Sequence, residues 1–300
     1  MVAWLFPGQG SQYVGMAAEW CGVSRAAADA LAEASDVLGF DLARLVAEGP
    51  ELELADTYNQ QPAVLAASVA VLRAVGDRLP IPAVVAGHSL GEYTALVAAG
   101  ALEYAEALRL VRERGRLMRL AGERSPGGMA AVLGLDDATV EAVCAETDGV
   151  QVANYNAPGQ VVVSGTGLGV ERATARLEAL GARRVVRLPI TIAAHSQLMA
   201  SVADSFHQAV LAASFSDARV PVVANVSARG ISSVAEIRAE LAEQLTSPVR
   251  WTESVAAMAA SGVRSFYEIG PGSVLTGLAR RILKSAAVEP EVLRTLERPD

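Results

Sequence analysis

The sequence predicts an α/β protein, a large domain built on a mostly parallel sheet, with a small ferredoxin-like subdomain inserted in it. Short apolar runs end three times in a glycine turn that leads into a helix-patterned stretch, the grammar of parallel strands with helices on the sheet faces. Between about residues 127 and 188 that grammar gives way to a β-α-β-β-α-β order, the ferredoxin-like unit. The 300 residues are 52% hydrophobic and 19% charged, a balance that builds a large core and excludes disorder.

Taken in order, residues 2–6 form the first buried strand, which runs into Pro7-Gly8-Gln9-Gly10-Ser11. Residues 83–86 form a second, followed by Gly87-His88-Ser89-Leu90-Gly91 and a helix over 93–99. A longer helix is expected over 103–120, and the turn formers at 123–128 mark a lead-in linker. The inserted unit then reads as strand 129–133, helix 136–146, strands 152–155 and 161–164, helix 169–180 and strand 184–188. A last strand over 265–269 meets Gly270-Pro271-Gly272 and a helix over 273–283. The expected division is therefore 1–126 with 189–300 as the large domain and 127–188 as the subdomain.

A net charge of −8 argues against nucleic acid and anionic membrane surfaces as partners, because both call for positive charge. Mean hydropathy is +0.31, yet the longest uncharged stretch, 149–170, carries Asn154, Asn156, Pro158 and Gln160, so no membrane span is expected. Residues 1–9 lack a basic and an apolar leader region, which makes the cytoplasm the expected compartment. Cys21 and Cys144 show no metal-ligand spacing; reduced, buried thiols and no bound metal are expected.

Gly87-His88-Ser89-Leu90-Gly91 fits G-x-S-x-G between a strand and a helix, the setting in which a strained turn lifts a nucleophilic serine out of the sheet. A serine flanked by glycines is also an ordinary turn. A serine nucleophile needs a base, and the chain has three histidines. His88 adjoins Ser89 on a turn where neighbouring side chains diverge, so local packing or hydrogen bonding is its expected role. His207 sits among polar residues of a helix, the pattern of a solvated side chain. His195, in the mostly apolar 190–199 stretch where the insertion returns to the large domain, is left as the base.

On the helical wheel of 103–120, Arg114 falls on the apolar side with Val111 and Met118, while Arg109, Arg112, Arg116 and Arg119 fall opposite. A cation there requires a partner. Either a buried acidic side chain or a ligand carboxylate, held bidentately, satisfies it. The Gly8-Gln9-Gly10 turn likewise admits two readings, a phosphate cradle or a second oxyanion donor beside Ser89.

Taken together, Pro7-Gly8-Gln9-Gly10-Ser11-Gln12, Gln60-Gln61-Pro62, the 87–93 block, the 112–118 block, the 154–160 block, Ala194-His195-Ser196 and the 268–272 block resemble the malonyl-CoA:acyl-carrier-protein transacylases. That family covers a fatty-acid-synthesis enzyme and trans-acting acyltransferases of polyketide synthases. The resemblance spans nearly the whole chain in order. It implies a ping-pong transfer in which Ser89 attacks the malonyl-CoA thioester, with His195 as base and then acid. The acyl group then leaves on the phosphopantetheine thiol of an acyl carrier protein. It further implies Gln9 and Leu90 as oxyanion donors, Arg114 on the malonyl carboxylate and Gln61 lining the pocket. No cofactor is implied beyond the CoA thioester, itself a substrate. The resemblance also implies an α/β-hydrolase-like large domain, similar in its serine elbow, with the histidine oriented by backbone carbonyl rather than by an acidic side chain.

Two departures bear on this. Ser247 stands where the fatty-acid enzyme commonly has Asn, a change without consequence if its carbonyl does the orienting. Ala194 stands where malonyl-selective polyketide relatives often carry Phe, which leaves room for methylmalonyl or larger extenders. An editing acyl hydrolase and a silent docking subunit are the competing readings; Arg114 speaks against the first, and Ser89 with His195 against the second. Carrier proteins are acidic, so a locally basic docking face is expected, with Arg280, Arg281 and Lys284 as its candidates and Arg183, Arg184 and Arg187 as a second group.

Overall fold

The computed structural model describes residues 1–299. Its first sheet has the order β10-β9-β1-β2-β7-β8, from β1 (Val2–Phe6), β2 (Val84–Gly87), β7 (Val222–Val223), β8 (Gly230–Ile231), β9 (Ser265–Glu268) and β10 (Val292–Thr295). β1 pairs in parallel with β2 and β9, and β10 and β7 extend the parallel set on either side. Only β8 is antiparallel. Ala3, Leu5, Val85, Ala86 and Phe266 are fully buried, as expected of strands covered on both faces.

The second sheet has the order β4-β5-β3-β6, from β3 (Gly127–Leu133), β4 (Val150–Ala157), β5 (Gln160–Thr166) and β6 (Arg184–Arg187). All its pairings are antiparallel, and the Asp137–Ala145 and Gly167–Ala179 helices close a separate small core with it. This is the ferredoxin-like topology expected from the order of elements. The 123–128 linker expectation needs correction: the Tyr104–Arg124 helix runs almost through it and β3 begins at Gly127. Gly127 and Gly128 pair with Thr166 and Gly165, so the glycines serve a strand, and only Ser125 and Pro126 lie between elements.

Two features of the large sheet position the site. β1 and β2 end side by side, with Phe6 opposite Gly87, so the turns that follow them meet at the carboxyl edge, where parallel sheets place their ligands. The Gly91–Ala98 helix then leaves β2 so close to β1 that a Cβ on Gly91 would stand 2.1 Å from the Phe6 carbonyl oxygen. The second sheet reaches the same edge. Tyr155 N–H donates to Val249 O and Val249 N–H to Ala153 O, both at 2.9 Å, which ties β4 to the large domain. Among the described residues, no helix is long and apolar enough to cross a membrane.

Candidate active site

Ser89 occupies the turn between β2 and the Gly91–Ala98 helix with φ at 52°, left-handed backbone that a non-glycine residue adopts only when its surroundings force it. Three hydrogen bonds do so. The Asn225 side chain accepts from Ser89 N–H at 2.6 Å and donates to Gly87 O at 2.7 Å, and Gln244 Nε2 donates to Ser89 O at 3.1 Å. The side chain is 9% exposed and faces a cleft of about 230 Å³.

His195 is also in left-handed backbone, φ 57°, and its Nε2 lies 2.8 Å from Ser89 Oγ. Its Nδ1 lies 2.9 Å from Gln244 O and 3.1 Å from Ser247 O. Carbonyls only accept, so Nδ1 carries the hydrogen and Nε2 offers its lone pair to the serine hydroxyl. Burial first, and the Arg114 charge second, push the imidazole down to about 3, which keeps it neutral at physiological pH. The expectation that the Ser247 carbonyl contributes matches this geometry; the carbonyl of Gln244 is a second acceptor.

Arg114 is 1% exposed. Its Nη2 donates to Ser89 Oγ at 3.1 Å and its Nη1 to Gln61 Oε1 at 3.0 Å, while Nε is buried without a partner. Among the described residues no Asp or Glu lies within ion-pair distance of it. The guanidinium instead lies 5.6 Å from the Tyr93 ring centroid. Gln61 is fully buried and spends its amide on Arg114 and Met118 Sδ. It does not line the cleft as expected; Gln60 does, one position earlier on the Thr57–Val75 helix, and Gln60 Oε1 is buried without a partner.

A Cβ on Gly8 would stand 2.2 Å from His88 O and 3.7 Å from Leu90 N, so the turn after β1 lies directly against the serine turn. The N–H groups of Gln9 and Leu90 have no acceptor among the described residues, and Gln9 borders the cleft. The cleft wall is completed by Met118, Ala194 and, from the second sheet, Met129 and Asn154.

His88 is half-buried, its Nε2 2.7 Å from Asn156 Oδ1 and its ring 5.5 Å from that of Trp251. Its partner is thus a residue of the second sheet rather than a local one. His207 is exposed. Of the basic candidates, Arg280 and Lys284 are exposed on the Val274–Ser285 helix, and Arg183, Arg184 and Arg187 are exposed around β6. Arg281 is already engaged, donating to Gln160 Oε1 at the start of β5 and to Pro158 O in the turn before it. Asn225, Gln244, Glu92 and Gln60 were not foreseen. Glu92 alone carried a signal, as a charged residue on the first turn of an otherwise apolar helix.

Residues 3–299 match the family model described as an acyl transferase domain. The chain is 46% identical over 301 residues to a malonyl CoA-acyl carrier protein transacylase of Salmonella typhimurium, covering 97% of both chains. It is 44% identical to the Bacillus subtilis protein of the same description, covering 97% of this chain and 95% of that one. Among solved structures, the Xanthomonas oryzae malonyl-CoA:acyl carrier protein transacylase superposes with a TM-score of 0.94 at 45% identity, covering 99% of this chain and 95% of that one. A malonyl-transacylase in complex with its type II polyketide-synthase acyl carrier protein superposes at 0.93 with 42% identity, covering 99% and 97%.

Proposed function

This chain belongs to the malonyl-CoA:acyl-carrier-protein transacylases of the acyltransferase family, and on that premise we propose how its own residues carry the reaction. The protein moves a malonyl group from malonyl-CoA to the phosphopantetheine thiol of an acyl carrier protein. Ser89 Oγ attacks the thioester carbonyl while its proton passes to His195 Nε2, 2.8 Å away. The N–H groups of Gln9 and Leu90 hold the tetrahedral oxyanion. The C–S bond then breaks, the CoA sulfur takes the proton from Nε2, and malonyl remains as an ester on Ser89. In the second half the carrier thiol gives its proton to Nε2, attacks that ester, and Ser89 recovers its hydrogen. Written so, the steps call for side chains and backbone only, with no further cofactor.

Gln61 pins Nη1 of Arg114, which leaves the Nε–Nη2 edge for the malonyl carboxylate. That carboxylate lifts the guanidinium's claim on Ser89 Oγ, freeing the oxygen to attack. The division we assign is a catalytic body of residues 1–126 and 189–300 and an inserted subdomain of 127–188 that walls the cleft. A CoA thioester substrate and a carrier protein as acceptor support a cytoplasmic setting for the reaction.

One observation carries this reading: Ser89 Oγ lies 2.8 Å from a neutral histidine nitrogen and 3.1 Å from a buried guanidinium. Incubation with radiolabelled malonyl-CoA should leave label on the protein, and Ser89→Ala should abolish it; label that persists in the variant overturns the assignment. Ala194, small and at the cleft wall, favours a second reading in which branched extenders are also accepted. Mass spectrometry of the acyl-enzyme formed from mixed acetyl-, malonyl-, methylmalonyl- and ethylmalonyl-CoA decides between them.

A further inference from the structure

We propose that Glu92 is a positioning residue that holds Ser89 and His195 in reactive register through Asn225 and Gln244. The proposal rests on the reading that Ser89 and His195 carry the transfer. Glu92 stands three residues after the nucleophile, on the first turn of the Gly91–Ala98 helix, and is 1% exposed. It touches neither reacting group. Its Oε1 accepts from Asn225 N–H at 3.1 Å and its Oε2 from Gln244 Nε2 at 2.5 Å.

Those two residues are the ones that grip the catalytic pair. Asn225 fixes both sides of the serine turn, at Ser89 N and Gly87 O. Gln244 fixes the other side of Ser89 at its carbonyl, and its own main-chain oxygen accepts from His195 Nδ1 at 2.9 Å. The nucleophile's left-handed backbone and the base's orientation therefore lead back to one buried carboxyl group. In a Ser-His-Asp arrangement the acid touches the histidine directly. Here the acid stands one residue further out and acts on both members of the pair.

The hydrogen bonds of the network call for a carboxylate at this position, and the Gln244 and Asn225 donors favour it against burial and the Glu240 charge, which push the group's pKa upward. Gln244 Nε2 spends one hydrogen on Glu92 and the other on Ser89 O, while its Oε1 accepts from Tyr93 O–H at 3.3 Å. Asn225 N–H is likewise committed. Both oxygens of Glu92 face donors, so a group offering only acceptors completes the set, and an amide would turn its N–H₂ against one donor.

The test compares Glu92→Gln, Glu92→Asp, Gln244→Met, which keeps the carbonyl that orients His195, and the Glu92→Gln/Gln244→Met pair. Glu92→Gln should lower kcat in both half-reactions by about tenfold to a hundredfold, the loss that a small misplacement of reacting groups produces. KM for malonyl-CoA and for carrier protein should change less than about twofold, because no substrate contact is removed. Labelling of Ser89 by a fluorophosphonate should slow in parallel. The double variant should be no slower than its slower parent, the signature of residues acting as a unit, and Glu92→Asp should recover part of the rate. Wild-type kcat in a folded Glu92→Gln protein, or multiplying losses in the pair, overturns the proposal. If Glu92→Gln does not fold, Gln244→Met decides alone, since wild-type kcat there is equally fatal. Loss of acyl-enzyme in Ser89→Ala, beside undiminished rates in these variants, would overturn the role of Glu92 while leaving the transfer mechanism standing.

Discussion

Ser89 Oγ has two close polar neighbours, and they make opposite demands on it. His195 Nε2 accepts its hydrogen while Arg114 Nη2 donates to its lone pair. In the proposed mechanism Arg114 gives up Ser89 Oγ to hold the substrate carboxylate in the complex. Arg114→Ala should lower kcat/KM for malonyl-CoA by about thirtyfold or more, from the ~2–5 kcal/mol lost when a buried charge pair loses one partner. Acetyl-CoA, lacking the carboxylate, should lose less, so the malonyl-to-acetyl ratio of acyl-enzyme in a mixed incubation should fall. An unchanged ratio would remove Arg114 from substrate recognition. The same cation contributes to the pH behaviour. His195 is pushed down to about 3 by burial and then by Arg114, so the neutral base persists as pH falls below 6.5 and is lost only as pH approaches 3. The rate of Ser89 phosphonylation by a fluorophosphonate should therefore hold its acid limb well below pH 6.5 in the free enzyme, and Arg114→Gln should move it upward. Unfolded histidine takes up its proton at higher pH than the buried one, so the stability held by neutral His195 above pH 6.5 drains as pH falls toward 3. Ser89, His195 and Arg114 were legible in the sequence because each stood against its setting: a hydroxyl on a glycine turn, an imidazole left by elimination, a cation on an apolar helix face. Gln244 and Asn225 were not, because their partners lie 155 and 136 residues away and nothing local distinguishes such an amide from a solvated one.

The elements that meet at the site do so with little clearance. A Cβ on Gly91 would stand 2.1 Å from Phe6 O, and backbone cannot yield to it without moving the elbow off β1. Gly91→Ala should therefore cost about 1–3 kcal/mol of stability or more, as overpacking of a tight interior does, read as a lower urea midpoint. Loss of acyl-enzyme formation should accompany it, and a variant that keeps both stability and rate would refute the close approach. That glycine was legible as part of a turn, but the reason for it, one strand's carbonyl against the next strand's helix, belongs to the tertiary structure. The order of elements was the most readable feature, since strands and helices differ in hydrophobic period. Their ends were less so. β4 and β5 run to Ala157 and from Gln160, where Asn156, Ala157, Pro158 and Gly159 read as a longer turn; strand pairing carries Asn156 and Ala157 into β4. The extension matters because Asn156 is the residue that receives His88.

Across the whole molecule, charge works by placement. The net balance is −8, with Lys284 the single lysine among 25 basic residues, yet the partner the reaction requires is an acidic carrier protein. The Val274–Ser285 helix begins beside the cleft mouth: a Cβ on Gly272 would stand 3.6 Å from Ser11 Cβ, and neighbouring Gly10 and Gln12 line the opening. Arg280 and Lys284 are exposed further along it, whereas Arg281 holds the β4–β5 turn of the inserted sheet. Three adjacent cations therefore divide into two that can meet a partner and one that braces the fold. Arg280→Glu with Lys284→Glu should raise KM for carrier protein by about threefold to tenfold, the effect of losing two rim charges, with the difference shrinking as salt is raised. The malonyl-CoA half-reaction should be untouched, because acyl-enzyme formation needs no carrier. Arg281→Ala should instead lower the melting temperature and leave the salt dependence of carrier KM as it was. Equal losses in both half-reactions for the charge-reversed pair would show that the helix shapes the cleft rather than docks the carrier, and would move the search for the docking face to the arginines around β6.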